Sequence, residues 1–287
     1  MKLEELKQKS DASIFSMWNS KKEGQELPFL MFRAFQDEPH IRHGFTTRRG
    51  GVSTGIFESL NLSFTRGDDP AAVMENYRRV ADAFQVSLDR IVTSDQTHTT
   101  NVRVVSGKDG GSGVLRQRDY QDVDGMITQE KGLLLATFYA DCVPLYFYDP
   151  VQEAIGLSHS GWRGTVGRMG AHTLEMMTKE FGTNPKDVLS AVGPSICQDC
   201  YEVSEDVATA FQKEFGDAKV LKPGNAPGKF QLDLWKANET VLLEAGILPE
   251  HLSVTNICTA CNPSVLFSHR ASHGKRGNLG AFLMLVP

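Results

Sequence analysis

No stretch of this chain stays apolar for the roughly 20 residues that a membrane-crossing helix needs. Residues 1–20 include acidic side chains and lack the continuous apolar core of a secretion signal. No run of five or more basic residues occurs and the formal net charge is -5, so a nucleic-acid backbone would be repelled rather than held. The G-x-G-x-x-G spacing and the P-loop lysine are absent. None of the eight histidines forms His-x-His, the kind of pattern that a set of several copper ions calls for. These absences point away from membrane, nucleic-acid, dinucleotide and multicopper chemistry. They predict a cytoplasmic protein with reduced thiols.

With 287 residues, 40% hydrophobic and 23% charged, the chain can bury one large core, and no linker-like stretch divides it. Apolar or β-branched runs bounded by turn residues predict strands at 29–35, 42–47, 101–105, 133–140, 144–148, 154–158, 189–192, 252–257 and 280–286. Helices are predicted at 71–84, 166–181, 204–215 and 234–245. The first follows Pro70, which suits an N1 position. In the second, Met169, Leu174, Met177 and Phe181 recur at helical spacing and mark a core face. Strands outnumber helices and hairpin-like neighbours alternate with crossover helices, which predicts an α+β fold with mixed sheets. Residues 1–28 read as an N-terminal extension, a frayed helix and linker with the polar stretch 19–26. Residues 29–287 read as a single catalytic domain.

Three short segments carry candidate chemistry: Gln96-Thr97-His98, Ala140-Asp141-Cys142 and His159-Ser160-Gly161-Trp162-Arg163-Gly164. Each sets an imidazole or a thiol at or beside the end of a predicted strand, where sites are built. Together they supply three of the four positions around a zinc ion. An open fourth position marks a catalytic rather than a structural metal. Singly, each residue has a plainer role, Cys142 as a small buried hydrophobe and either histidine as a satisfied polar side chain.

Two Gly-rich loops admit two readings each. Thr46-Thr47-Arg48-Arg49-Gly50-Gly51-Val52-Ser53 could cradle a phosphate, because glycine lets backbone N–H groups approach an anion, or it could be a hairpin turn. The segment 160–165 leads into the predicted helix at 166, so its amides and Arg163 could face an anion there. Asn61 and Asn76 could donate to a ribose or serve as turn and cap residues. The tripeptide Arg66-Gly67-Asp68 reads as a chance match.

The blocks occur in a fixed order: His43-Gly44-Phe45-Thr46-Thr47-Arg48 with Gly50-Gly51-Val52-Ser53, Ser59-Leu60-Asn61-Leu62, Glu75-Asn76-Tyr77-Arg78 and Gln96-Thr97-His98. Asp122-Val123-Asp124-Gly125, Ala140-Asp141-Cys142-Val143-Pro144, His159–Gly164, Gly193-Pro194-Ser195-Ile196 and Cys200-Tyr201-Glu202-Val203 follow. Over residues 29–286 this series resembles the laccase-domain family of the bacterial YfiH and YlmD type. That family was once described as multicopper polyphenol oxidases and now as purine nucleoside phosphorylases with adenosine deaminase activity. The resemblance implies a four-layer α/β/β/α single domain, similar to bacterial toxin cysteine deamidases. It implies zinc held by His98, Cys142 and His159, phosphate as co-substrate, and adenosine, inosine or 5′-methylthioadenosine as substrate. Within that reading Arg48 is the first candidate for phosphate and Arg163 the second. Asp141 is a candidate acid/base or support for Cys142.

Other classes compete. Cys142 as nucleophile with His159 as base would make a cysteine hydrolase, and for that chemistry the resemblance implies an amidohydrolase acting on a peptidoglycan precursor. A copper polyphenol oxidase is disfavoured by the histidine pattern, and no surface feature favours a non-enzymatic role. The remaining cysteines form Cys197-x-x-Cys200 and Cys258-x-x-Cys261, with 57 residues between Cys200 and Cys258. Zinc knuckles usually sit closer along a chain, so this spacing predicts free, partly buried thiols rather than a second metal site or a disulfide.

Overall fold

The last strand, Leu279–Leu285, is buried along its whole length, and its side chains divide between two cores. Leu279, Ala281, Leu283 and Leu285 face one, and Phe282 and Met284 face the other. The Val143–Asp149 strand does the same, with Tyr146 and Tyr148 on one side and Val143, Leu145 and Phe147 on the other. A strand apolar on both faces needs a covering layer on each side. The fold meets that need with four layers.

The computed structural model describes residues 1–22, 24–216 and 219–287. One six-stranded sheet runs Phe15–Lys22, Gln25–Phe32, Ile41–Thr46, Leu279–Leu285, Leu134–Tyr139 and Ile91–Thr93, antiparallel except for its last pair. The second runs Leu252–Val254, Leu189–Val192, Val143–Asp149, Ala154–Ser160, Gly125–Thr128 and Val102–Val104, with parallel pairs at both edges. Their inner faces share one core, in which Leu30, Phe45 and Leu283 of the first meet Tyr146, Ile155 and Leu157 of the second. Outside the first sheet lies the Pro70–Phe84 helix, packed through Val73, Tyr77, Val80 and Phe84. Outside the second lie Met169–Phe181, Glu205–Phe215 and Leu234–Glu244. This is the α+β single domain with mixed sheets expected from the sequence, and among the described residues no helix is long and apolar enough to cross a membrane.

Local chemistry sets the element ends. Asp69 Oδ1 accepts from the Ala71 N–H at 2.9 Å and Pro70 opens the first long helix, which stops at Gln85 in the left-handed region. The helix expected at 166–181 is instead two, Trp162–Val166 and Met169–Phe181. Arg168 lies between them at φ 58°, its guanidinium paired with Glu214 and Glu244. At Gly167 a Cβ would come within 2.7 Å of Thr100 Cγ2, so glycine suits the break.

The segment before residue 28 is not an appendage. Phe15–Lys22 pairs along its length with Gln25–Phe32, and all of the stretch 19–26 except residue 23 is described as part of that hairpin. Phe15 packs against Phe32 in a tilted arrangement with ring centroids 4.8 Å apart, and Trp18 stacks on Phe29 at 4.9 Å. The hairpin's outer strand is half exposed, so its polar composition hides the pattern. The predicted strand at 29–35 ends at Phe32, where a single 3-10 turn begins.

Phe282 is fully buried between the sheet and the Pro70–Phe84 helix, on a strand that carries none of the candidate ligands. Phe282→Ala should therefore lower the unfolding free energy by about 3–5 kcal/mol in a denaturant titration while leaving metal content unchanged. A loss below about 1 kcal/mol would contradict the packing of that layer.

Candidate active site

Strand register brings the candidate ligands together. Val143 pairs with Ser160 and Pro144 with His159, so the residue just before Val143, Cys142, emerges beside His159. Gly125 pairs with Ser158 on the other side of the same strand, which sets Asp124 against His159. His98 comes from the loop between Ile91–Thr93 and Val102–Val104. The donor atoms of His98, Cys142 and His159 all lie within 4.8 Å of one another.

Asp124 organises this cluster. It is fully buried, and its Oδ1 lies 2.7 Å from His159 Nδ1. The same carboxylate accepts the backbone N–H groups of Thr97, His98 and Thr99 at 3.2, 3.2 and 2.8 Å, and the Thr99 hydroxyl at 2.9 Å. Its own carbonyl accepts the His159 N–H at 2.8 Å. His98 has φ 68°, a conformation that costs a non-glycine residue energy, and the amide clasp of Asp124 holds it there. Burial alone would raise the Asp124 carboxyl, but His159 and the Thr99 donors outweigh it and hold the group below its ordinary value. In the sequence Asp124 stands out only as part of the block Asp122-Val123-Asp124-Gly125. A carboxylate one residue ahead of a strand that pairs with the histidine strand is the signal that could have found it.

Electrostatics polarise the other two groups. Burial pushes the Cys142 thiol up, yet the neighbouring His159 and His98 bring it down to about 6. Burial pushes His159 down, yet Cys142 and Asp124 bring it up to about 9. Without a metal, the pair is a thiolate beside an imidazolium. Cys142 Sγ and His98 Nε2 are 3.9 Å apart, close to the roughly 3.5 Å that separates sulfur and nitrogen ligands of one tetrahedral zinc. With Nδ1 engaged by Asp124, His159 offers Nε2, the carboxylate–histidine–metal arrangement common at zinc sites. Two imidazoles and a thiolate thus fit zinc. Gly161 leaves the room: a Cβ there would meet His98 Cδ2 at 2.7 Å and Cys142 Sγ at 3.3 Å.

The cluster opens onto a cavity of about 290 Å³ whose walls include Arg66, Arg118, Arg276, Phe64 and Phe138. Arg276 is buried, and its Nε has no hydrogen-bond partner. Burial first and the nearby Arg66 charge second lower its guanidinium to about 10. Arg66 makes no ion pair or hydrogen bond among the described residues. Arg118, by contrast, sits 3.5 Å from Asp95 and donates to Thr93 Oγ1 at 3.0 Å.

Several residues singled out from the sequence lie elsewhere. Arg48 donates to the carbonyls of Glu58 at 2.6 Å and Pro263 at 2.9 Å, stacks over Phe267, and is not in the cavity wall. The 46–53 loop turns its polar groups inward: Gly51 N–H donates to Ser59 Oγ, Arg49 pairs with Glu5, and a Cβ on Gly51 would meet Ser59 O at 2.1 Å. Asn61 and Asn76 are buried and bridge loops. Asn61 accepts from Ser63 and Asn278, and Asn76 accepts from Val52 and donates to Ser53 and Asn61. Arg163 is exposed and lies over Trp162. Asp141, at φ 93°, turns its carboxylate to Thr259 Oγ1 and the Arg270 N–H, both at 2.7 Å, away from the three ligands.

A metal must displace the proton that His159 carries below pH about 9. Zinc affinity should therefore climb with pH between 6 and 9, by about tenfold per unit for one released proton. Below about 6 the Cys142 thiol adds a second proton and steepens the loss. Competition with a chelator across this range checks it, and a flat profile would contradict the ion pair. Asp124→Asn should weaken zinc binding by about 10–100-fold throughout.

The family model described as multi-copper polyphenol oxidoreductase laccase matches residues 42–286. A Bacillus subtilis relative named purine nucleoside phosphorylase YlmD is 38% identical over 252 residues, spanning 86% of this chain and 90% of its own. A relative from an unknown prokaryotic organism, named adenosine deaminase RL5, is 34% identical over 231 residues, spanning 79% and 87%. The solved structure of YlmD from Geobacillus stearothermophilus superposes with a TM-score of 0.84 at 33% identity, covering 94% of this chain and 99% of that one. The hypothetical protein YfiH of Bacillus licheniformis superposes with a TM-score of 0.85 at 34% identity, covering 90% and 96%. Matched by one family model over most of its length, and alike to these relatives over nearly all of theirs, the chain belongs to the multi-copper polyphenol oxidoreductase laccase family.

Proposed function

We propose that this protein is a zinc-dependent purine nucleoside phosphorylase with adenosine deaminase activity, working in the cytoplasm on adenosine, inosine and 5′-methylthioadenosine. One observation carries the reading: a three-donor cluster with room for a fourth ligand opens onto a cavity in which Arg66 and Arg276 make no ion pair among the described residues. Relatives named for each activity support it.

His98, Cys142 and His159 would hold the metal, which when bound supplies Lewis acidity toward water or the purine. Asp124 fixes the tautomer and direction of His159, and Gly161 keeps the ligands' approach clear. Phosphorolysis requires a phosphate oxygen to bond C1′ of the ribose as the C1′–N9 bond breaks, leaving ribose 1-phosphate and the free purine. Arg66 and the unpartnered Nε of Arg276 suit that anion, and its charge would relieve the repulsion between the two guanidinium groups. The phosphate role expected for Arg48 thus moves to this pair. Phe64 and Phe138 offer apolar faces for a base. Deamination replaces the C6 amino group with the oxygen of water and releases ammonia, so it has no need of the anion site.

That difference supplies the test. Arg66→Ala should raise the KM for phosphate by about 10–100-fold, the value of a charge-assisted pair worth about 1.5–3 kcal/mol. Deamination of adenosine by the same variant should change less than about threefold. Arg48→Ala, which opens a loop clasp, should lower stability and depress both reactions together. Equal loss of both reactions in Arg66→Ala, or no nucleoside turnover by the zinc-loaded wild type, would overturn the assignment.

The thiolate–imidazolium pair also favours a second reading, in which Cys142 is the nucleophile of an amidohydrolase. Alkylation separates the two. Iodoacetamide should spare Cys142 in the zinc-loaded protein and modify it after chelation, with activity lost on zinc removal. Activity that survives complete zinc removal, with a covalent intermediate on Cys142, would establish the nucleophile instead.

A further inference from the structure

Four of the five cysteines lie outside the active site, in the pairs Cys197-x-x-Cys200 and Cys258-x-x-Cys261. Their separation along the chain, which argued against a shared site, is closed by strand pairing. Leu189–Val192 and Leu252–Val254 run parallel with Val192 opposite Val254, and the pairing resumes as a bridge between Ser195 and Cys258. Parallel neighbours end on the same side of the sheet, so both strands deliver a Cys-x-x-Cys turn to one place.

All four sulfurs lie within 4.8 Å of one another. Sulfur ligands of a tetrahedral zinc, each about 2.3 Å from the ion, sit about 3.8 Å apart. Cys200 and Cys261 bring their sulfurs to 3.5 Å, well beyond a disulfide bond, and all four thiols are free. The Cys197 N–H points at Cys258 Sγ at 3.2 Å, the kind of backbone donation that stabilises a thiolate ligand. The Lys9 ammonium, held 3.0 Å from Asp199, lies in the field of Cys197 and Cys261 and would offset part of the net negative charge of four thiolates around a divalent ion.

We propose that Cys197, Cys200, Cys258 and Cys261 bind a second zinc ion, a closed four-sulfur structural site distinct from the open cluster of His98, Cys142 and His159. The site ties down the turn that presents Cys142. Ile196, beside the first ligand, donates its N–H to the Asp141 carbonyl at 3.0 Å, and Thr259, beside the third, donates to the Asp141 carboxylate at 2.7 Å. Arg270 donates its backbone N–H to that carboxylate and its guanidinium to the carbonyls of Cys200 and Glu202. The four cysteines and Asp141 therefore act as positioning residues for Cys142.

Metal analysis of the full-length protein tests this independently of any catalytic assignment. The wild type should carry two zinc ions per chain and Cys142→Ala one. Cys261→Ser and Cys200→Ser, each retaining the active-site ion, should also carry one. The cobalt-substituted Cys142→Ala protein should show the intense thiolate charge-transfer and tetrahedral visible bands of a four-sulfur site. If the serine variants do not fold, titration of native Cys142→Ala with an organomercurial should release one zinc as four thiols react. A metal-free Cys142→Ala protein whose four remaining thiols react freely, or one holding a Cys200–Cys261 disulfide, would overturn the proposal. Failure of the catalytic reading alone would leave the single zinc of Cys142→Ala in place.

Discussion

The buried carboxylate of Asp124 is the constraint on which the rest of the site depends. It is fully enclosed, so it can remain ionised only if its lone pairs are met, and four donors around the 97–99 loop together with His159 meet them. Satisfying that charge fixes three things at once: the path of the loop carrying His98, the tautomer of His159, and the edge of the Gly125–Thr128 strand. Removing the carboxylate would leave three amides, a hydroxyl and an imidazole without the acceptor they share. The site is therefore built from the inside out, with a buried anion holding His159 and the loop of His98 in place.

The fold supplies that anion's setting through two sheets whose shared core leaves no room for slippage. Each central strand is apolar on both faces, so a shift of one residue would exchange the contents of two cores of different shape. The same register sets Cys142 beside His159 and Asp124 opposite it. Packing energy and ligand geometry are in this sense enforced by one set of hydrogen bonds. The arginines of the cavity are arranged differently: Arg66 and Arg276 repel one another and are held together by the surrounding chain, the arrangement on which the proposed anion site rests.

Much of this was legible in the sequence, for identifiable reasons. Strands buried on both faces are continuous apolar runs, and those at 144–148, 154–158 and 189–192 stood out as such. The half-exposed Phe15–Lys22 strand and the three-residue strand Ile91–Thr93 gave no comparable pattern. His98, Cys142 and His159 were visible because their residue types are uncommon and adjoin strand ends, whereas Asp124 is one acidic residue among 35 Asp and Glu and owes its role to a pairing that only the sheet defines. Arg48 and Arg66 show the same limit: a loop dense in glycine and arginine looks like an anion cradle but is closed on itself, while an arginine in a tripeptide that reads as a chance match lines the cavity. The distance between the two Cys-x-x-Cys pairs was misleading because parallel strands bring together segments far apart in the chain.

The turn joining Val143–Asp149 to Ala154–Ser160 lies at the opposite end of the hairpin from the ligands, about 17 Å from His159 along the strand. Asp149 Oδ1 holds it by accepting the N–H groups of Val151 and Gln152 at 2.9 and 3.0 Å. Since the turn's length and the burial of both strands specify the same pairing, one residue gained or lost there would set the turn against the register that keeps His159 beside Cys142, without touching either. Surface loops usually tolerate insertion and deletion. This one is a spacer whose length matches the spacing of the candidate ligands, and a remote change in it would strain their arrangement while leaving every one of them in the sequence.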